Sequence, residues 1–181
     1  MIYPIYVIGH PVLRKKTELV DRDYPNLQSI IDSMFETMYE SDGVGLAAPQ
    51  VGLSLRIFVV DAAPMVKDKP ELKDFKRVFI NPKIVERSAE TMVWEEGCLS
   101  IPGIHENVKR NTRLVIEYYD RDFNFVSEEL EGFKAIVIQH EYDHLEGSLF
   151  TDHVNPLRRQ MIKSKLNNIA KGKAKCDYKI K

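Results

Sequence analysis

Between Pro25 and Tyr39 apolar side chains recur at Leu27, Ile30, Ile31, Met34, Phe35 and Met38. That spacing stacks one buried stripe along a helix, so a helix over Pro25–Tyr39 is predicted. Pro25 suits its first turn, where a missing N–H costs nothing. The period stops at Gly43–Gly52. Three glycines and a proline in those ten residues predict a loop with unusual backbone angles. Short runs rich in β-branched and aromatic residues follow at Arg56–Asp61, Val78–Val85, Thr91–Trp94, Leu114–Tyr119 and Phe125–Leu130. They read as strands. The polar stretch Ala62–Lys76 reads as a surface insertion. A helical apolar pattern returns over Phe133–Glu146. Pro156 opens another helix, with Leu157, Met161, Leu166 and Ile169 as its sparse apolar side. Strands gather in the middle of the chain and helices toward its two ends, without βαβ alternation. The pattern therefore predicts an α+β fold with mixed or antiparallel strands and a C-terminal helix.

Composition narrows the class. At 181 residues, 44% hydrophobic and 29% charged, the chain is neither disordered nor collagen-like and is long enough for one full core. No apolar run approaches the ~18–20 residues that span a bilayer, so no membrane partner is expected. The first residues lack the basic flank and apolar core of a signal peptide and the Arg/Ser bias of a transit peptide. Two cysteines, Cys98 and Cys176, are too few for a secreted disulfide scaffold and fit a reducing cytosol. The net charge of −1 hides an asymmetry: Leu157–Lys181 carries +8 and the residues before it −9. Residues 1–170 read as one domain and 171–181 as a basic tail. Such a tail is either a solvated end or a weak, sequence-independent contact for phosphate.

The strongest chemical signal is His140-Glu141-Tyr142-Asp143-His144. Histidines at i and i+4 share a helix face and can reach one metal ion. The Glu beside the first is then placed to take a proton from an activated water. The preceding Ala135–Ile138 is apolar, and buried His, Glu and Asp need partners there; a metal supplies one. A catalytic site of this type uses three protein ligands and leaves one position open. The third His of one protease class falls on Phe150 here, although Gly147 matches that class's glycine. No Glu follows Glu146 to serve as another class's ligand. Asp152, His153 and His105 qualify by residue type. Cys98, flanked by charges and turn residues in Trp94–Gly103, is the better candidate. A Cys-His-His set suits Fe(II), Zn(II), Co(II) or Ni(II) and excludes Mg(II) and Ca(II).

Three segments together resemble peptide deformylase. That family shows G-x-G-x-A-A-x-Q, E-G-C-x-S and Q-H-E-x-D-H in this order, and the chain carries each complete, at Gly43–Gln50, Glu96–Ser100 and Gln139–His144. Gly9–Arg14 is similar to the family's opening, and the likeness runs over residues 1 to 170. It implies strands around a central helix bearing the His-Glu-x-x-His motif. It also implies removal of the formyl group from the formyl-methionine of new bacterial polypeptides. Ferrous iron is the implied ion, with zinc, nickel or cobalt as substitutes. Cys98, His140 and His144 are then the ligands and Glu141 the proton shuttle. The Gln50 amide and the Leu99 N–H match the family's oxyanion donors, and Gly43 and Gly45 let the loop approach the substrate. Val44, Gly45, Leu99, Trp94, Ile136 and Val137 are candidates to line a slot for the methionine side chain. His105 is a departure, since many members carry arginine there. The expected partners are formylmethionyl peptides and nascent chains in a bacterial cytoplasm, with weak ribosome contact through the basic end and no sequence-specific nucleic acid. A general zinc-dependent peptidase and a non-catalytic metal module are the rival readings.

Overall fold

The computed structural model describes residues 1–181. Helix α1 (Leu27–Glu40) precedes β1 (Gly45–Ala47), β2 (Ile57–Asp61), β3 (Lys76–Arg87), β4 (Thr91–Cys98), β5 (Ile101–Asn111), β6 (Arg113–Tyr119) and β7 (Phe125–Glu131). Helices α2 (Phe133–Leu145) and α3 (Pro156–Ala170) follow. Five strands form one sheet in the order β1-β2-β3-β6-β7, and β4-β5 form a separate hairpin; every one of these pairings is antiparallel. No helix is long and apolar enough to cross a membrane.

The large sheet is buried on both faces, which is why β2 is apolar at successive positions. Ile57 and Val59 join α1 residues Ile31, Met34 and Met38 in one core, while Phe58 and Val60 join α2 residues Ala135, Ile138 and Leu145 in a second. In β3, Val78 and Ile80 face the first core and Phe79 the second. Ala135, Ile136, Val137 and Ile138 are all buried. Four consecutive buried positions cover every side of α2, so it lies at the centre, against β1, β2, β5 and β7. A third core joins β5, α3 and the N-terminal segment through Val7, Ile104, Val108, Ile162 and Ile169.

Several expectations change. The glycine-rich loop holds a short strand, β1, and a 3-10 turn at Ala48–Val51; of its glycines only Gly52 has a positive φ, at 86°. The stretch 62–76 is not merely a surface insertion. Leu72 and Phe75 are buried in the second core, and the Ala62 N–H donates to the Phe75 carbonyl at 3.0 Å, closing the loop. Strand β5 was not expected. Its buried positions alternate, but two of them are Glu106 and Arg110, so charge masks the apolar period. On α3 the expected apolar side holds only in its second half: Ile169 is buried and Leu166 packs against the third core, but Leu157 and Met161 are 72% and 62% exposed and Ile162 is buried instead. The basic segment after α3 is docked. Ile5 and Ile180 form a parallel bridge, with the Ile5 N–H donating to Lys179 O and the Lys181 N–H to Ile5 O, both at 2.8 Å.

Candidate metal centre

Central placement of α2 carries its one polar turn to the floor of a cleft of about 390 Å³ whose other walls are the β4–β5 hairpin and the loop before and through β1. The hairpin closes through two residues, Leu99 and Ser100, because Cys98 pairs directly with Ile101. A bulge at Pro102–Ile104, with Gly103 at a φ of +78°, then restores the register at Gly97 and His105. Cys98, at the end of β4, thereby stands beside His140 and His144 of α2.

The ligand atoms of Cys98, His140 and His144 all lie within 4.8 Å of one another. Cys98 Sγ is 3.4 Å from His144 Nε2. Two tetrahedral ligands with bonds of about 2.0–2.3 Å stand roughly that far apart. Burial and the neighbouring His140 lower the His144 pKa to about 3, so its ring is neutral and keeps a lone pair to offer. The donor chemistry and the spacing both fit a transition-metal ion. Asp152, His153 and His105 do not join this group: Asp152 binds Arg14 at 2.6 Å, His153 binds Asp143 at 2.9 Å, and His105 stands over Gly97 at the cleft rim.

A buried charge network orients this candidate ligand set. His140 Nδ1 donates to Glu96 Oε1 at 2.8 Å, which turns Nε2 toward the other two ligands. Arg110 grips Glu96 with two bonds, at 2.8 and 2.9 Å, and reaches Asp143 at 2.6 Å. Burial would raise the Glu96 pKa, but the bonds from Arg110 and His140 outweigh it and hold the carboxyl at about 2. Within this network Glu96, Arg110 and Asp143 are each paired, as the desolvation of a buried charge requires. Sequence reading missed Arg110 because β5 was missed. Glu96 and Asp143 sit inside the quoted motifs, which was the available signal.

Glu141 is buried with Oε2 unpartnered, and burial raises its pKa to about 7. A carboxyl poised there can both accept and return a proton near neutrality. Gln50 Oε1 accepts the Ala47 N–H at 3.0 Å, which assigns the amide orientation and leaves Nε2 to donate to Ser100 Oγ at 3.1 Å and to face Cys98 Sγ at 3.4 Å. Val44, Gly45, Trp94, Leu99, Ile136 and Val137 all line the cleft, and so does His105. Phe133, which was not anticipated, tilts against Trp94 with ring centroids 5.6 Å apart. Tyr178 also lines the cleft, from the far end of the chain.

The profile of the polypeptide deformylase family matches residues 2–160. The chain belongs to that family. Curated relatives named peptide deformylase include those of Flavobacterium psychrophilum, 51% identical, and Christiangramia forsetii, 49% identical; the alignments cover all of this chain and 97% and 96% of those proteins. Among solved structures, the peptide deformylase of Thermus thermophilus superposes with a TM-score of 0.84 at 40% identity, covering 95% of this chain and 99% of that one. The peptide deformylase of Legionella pneumophila gives 0.83 at 38% identity, over 97% and 99%. The α+β fold is therefore the family's. The chain is a metal-dependent hydrolase that removes the N-formyl group from newly made polypeptides. Formylated nascent peptides are its substrates, and the general peptidase reading is not favoured.

Proposed function

We propose that Cys98, His140 and His144 hold one metal ion, ferrous in the cell, and that Glu141, Gln50 and the Leu99 N–H complete the catalytic group. The convergence of one sulfur and two imidazoles on a point beside a buried, unpartnered carboxylate carries this reading. Thiolate and imidazole donors suit Fe(II), with Zn(II), Ni(II) and Co(II) as substitutes. When bound, the metal acidifies a water and polarises the formyl carbonyl.

The chain's own groups do the rest. Glu141 accepts a proton as the water oxygen bonds to the formyl carbon. It returns the proton to the amine nitrogen as the C–N bond breaks, leaving formate and a free N-terminus. Negative charge gathers on the former carbonyl oxygen during attack, and the Gln50 Nε2–H and Leu99 N–H are the donors aimed at it. Gln50 is already oriented for this by Ala47. Val44, Trp94, Ile136 and Val137, with Phe133, form an apolar slot for the methionine side chain, and Gly45 and His105 flank the peptide's path.

Formate release from formyl-Met-Ala-Ser, joined to anaerobic metal analysis, tests the assignment. Glu141→Gln keeps shape and metal but removes the shuttle, so kcat falls at least roughly 10²-fold with full metal occupancy. Near-wild-type turnover would remove Glu141 from the mechanism. Iron in anaerobically prepared protein, with activity lost in air, supports the ferrous assignment.

The cellular setting follows from the substrate. Formylated chains emerge from ribosomes in the cytoplasm of bacteria, so the enzyme works there. The +8 segment Leu157–Lys181 gives it a weak, salt-sensitive contact with ribosomal phosphate. Lys171, Lys173 and Lys175 are exposed. Reversing all three to Glu lowers co-sedimentation with ribosomes at low salt; equal co-sedimentation would make this segment only a solvated surface.

A further inference from the structure

The residues after α3 reach the metal cleft. Tyr178 lies beyond residue 160, where the family match ends. Its hydroxyl donates to the Leu99 carbonyl at 2.7 Å, and its ring lines the cleft. Leu99 is the first of the two residues that close the β4–β5 hairpin. A two-residue connection leaves the N–H of its first residue outside the strand ladder, free to meet a ligand. The same freedom leaves the Leu99 peptide planes without ladder bonds to hold them.

The strand end at Cys98 and three hydrogen bonds supply that hold. Cys98 fixes the chain on one side. On the other, the Ser100 carbonyl accepts the Ile8 N–H at 2.9 Å, and Ser100 Oγ accepts from Gln50. Only Tyr178 binds Leu99 itself. The N-terminal segment connects all of these. Tyr6 and Ile8 donate toward the site, to the Gln50 and Ser100 carbonyls, while Ile5 and Val7 donate the other way, to Lys179 and Lys181. The docked C-terminal segment therefore braces both proposed oxyanion donors.

We infer that Tyr178 is a positioning residue for deformylation, its hydroxyl holding the Leu99–Ser100 peptide so that the Leu99 N–H points at the developing oxyanion. The inference rests on the reading of Leu99 as a donor given above. Donors of this kind act only when placed within a fraction of an ångström before reaction.

The test uses full-length, zinc-loaded enzyme. Tyr178→Phe keeps the ring and removes one hydroxyl. On formyl-Met-Ala-Ser its kcat falls about tenfold with KM unchanged, because the lost alignment matters in the transition state. Metal content and Tm stay at wild-type values, and amide hydrogen exchange across Cys98–Ile101 quickens. Wild-type kcat and exchange overturn the inference. A fall in kcat that comes with lost metal or a lower Tm overturns it too, reducing Tyr178 to scaffolding. Formate, the product, separates the two levels: in wild-type enzyme the Leu99 amide resonance shifts as formate is added. A Leu99 amide that ignores formate removes the donor reading and this inference with it. One that responds, while Tyr178→Phe keeps wild-type kcat, removes the inference alone.

Discussion

Gly45 lies so close to Glu141 that a methyl group on its Cα would stand 2.6 Å from the Glu141 Oε1 and 2.9 Å from the carboxyl carbon. The glycine is there for space and not for an unusual φ, since it sits in β1 with ordinary strand geometry. Its lack of a side chain makes room for the carboxylate, a reason distinct from close approach by substrate.

Gly45→Ala therefore pushes the Glu141 carboxylate off its position. The expected result is a kcat loss approaching that of Glu141→Gln, roughly 10²-fold or more, with metal content unchanged. Steady-state kinetics beside metal analysis checks it. Full activity in Gly45→Ala would mean that Glu141 reacts from elsewhere.

Cys98→Ala loses metal and activity together, because two imidazoles alone make a weaker and differently shaped site. Cys176, whose sulfur contacts the Tyr178 carbonyl at 3.3 Å, lies in the docked end, and Cys176→Ala retains stoichiometric metal. Metal-to-protein ratios of the two variants decide this. Stoichiometric metal with activity in Cys98→Ala would end its role as a ligand.

Ile136→Phe and Val44→Phe fill the apolar slot and raise KM for formyl-Met peptides. Overpacking a closed core costs typically ~1–3 kcal/mol of stability instead. Kinetics and melting temperature, measured on the same samples, separate pocket from core. A large fall in Tm with unchanged KM assigns these side chains to the core.

Glu106 joins β5 to α3 through two bonds from Arg158, at 2.7 and 3.1 Å. The Arg158 bond holds the Glu106 pKa below its ordinary 4.5. A carboxyl depressed in the folded state stabilises above its unfolded pKa and loses that contribution as pH falls through its folded value. The Tm difference between wild type and Glu106→Gln is thus positive at neutral pH and shrinks as pH drops below 4.5. Thermal melts from pH 7 to pH 3 test it; a difference that stays constant across the range refutes the ion pair's contribution.

What the chain determined by itself was local. The stripe from Leu27 to Met38 needs only helical period to be seen, and α1 follows it, although the helix begins at Leu27 behind a left-handed Asn26 and leaves Pro25 outside its first turn. The spacing of His140, Glu141 and His144 puts the three on adjacent helix positions whatever the rest of the fold does. The three family motifs carried Cys98, His140 and His144 together with Gln50 and Glu141, since each motif is a short contiguous segment. Tertiary structure decided what depends on partners distant along the chain. Strand β5 was hidden because its inward charges are tolerable only once Arg110 meets Glu96 and Asp143, and Glu106 meets Arg158. Of the apolar side read for α3, Ile169 is buried and Leu166 packs on the third core, but Leu157 and Met161 face out and Ile162 takes their place, because the orientation of a sparsely apolar helix is set by what it docks against. The contact between Tyr178 and Leu99 spans 79 positions. No periodicity encodes such a pair; it exists because the N-terminal segment Ile5–Ile8 binds the chain's end through Ile5 and Val7 and the residues beside the cleft through Tyr6 and Ile8.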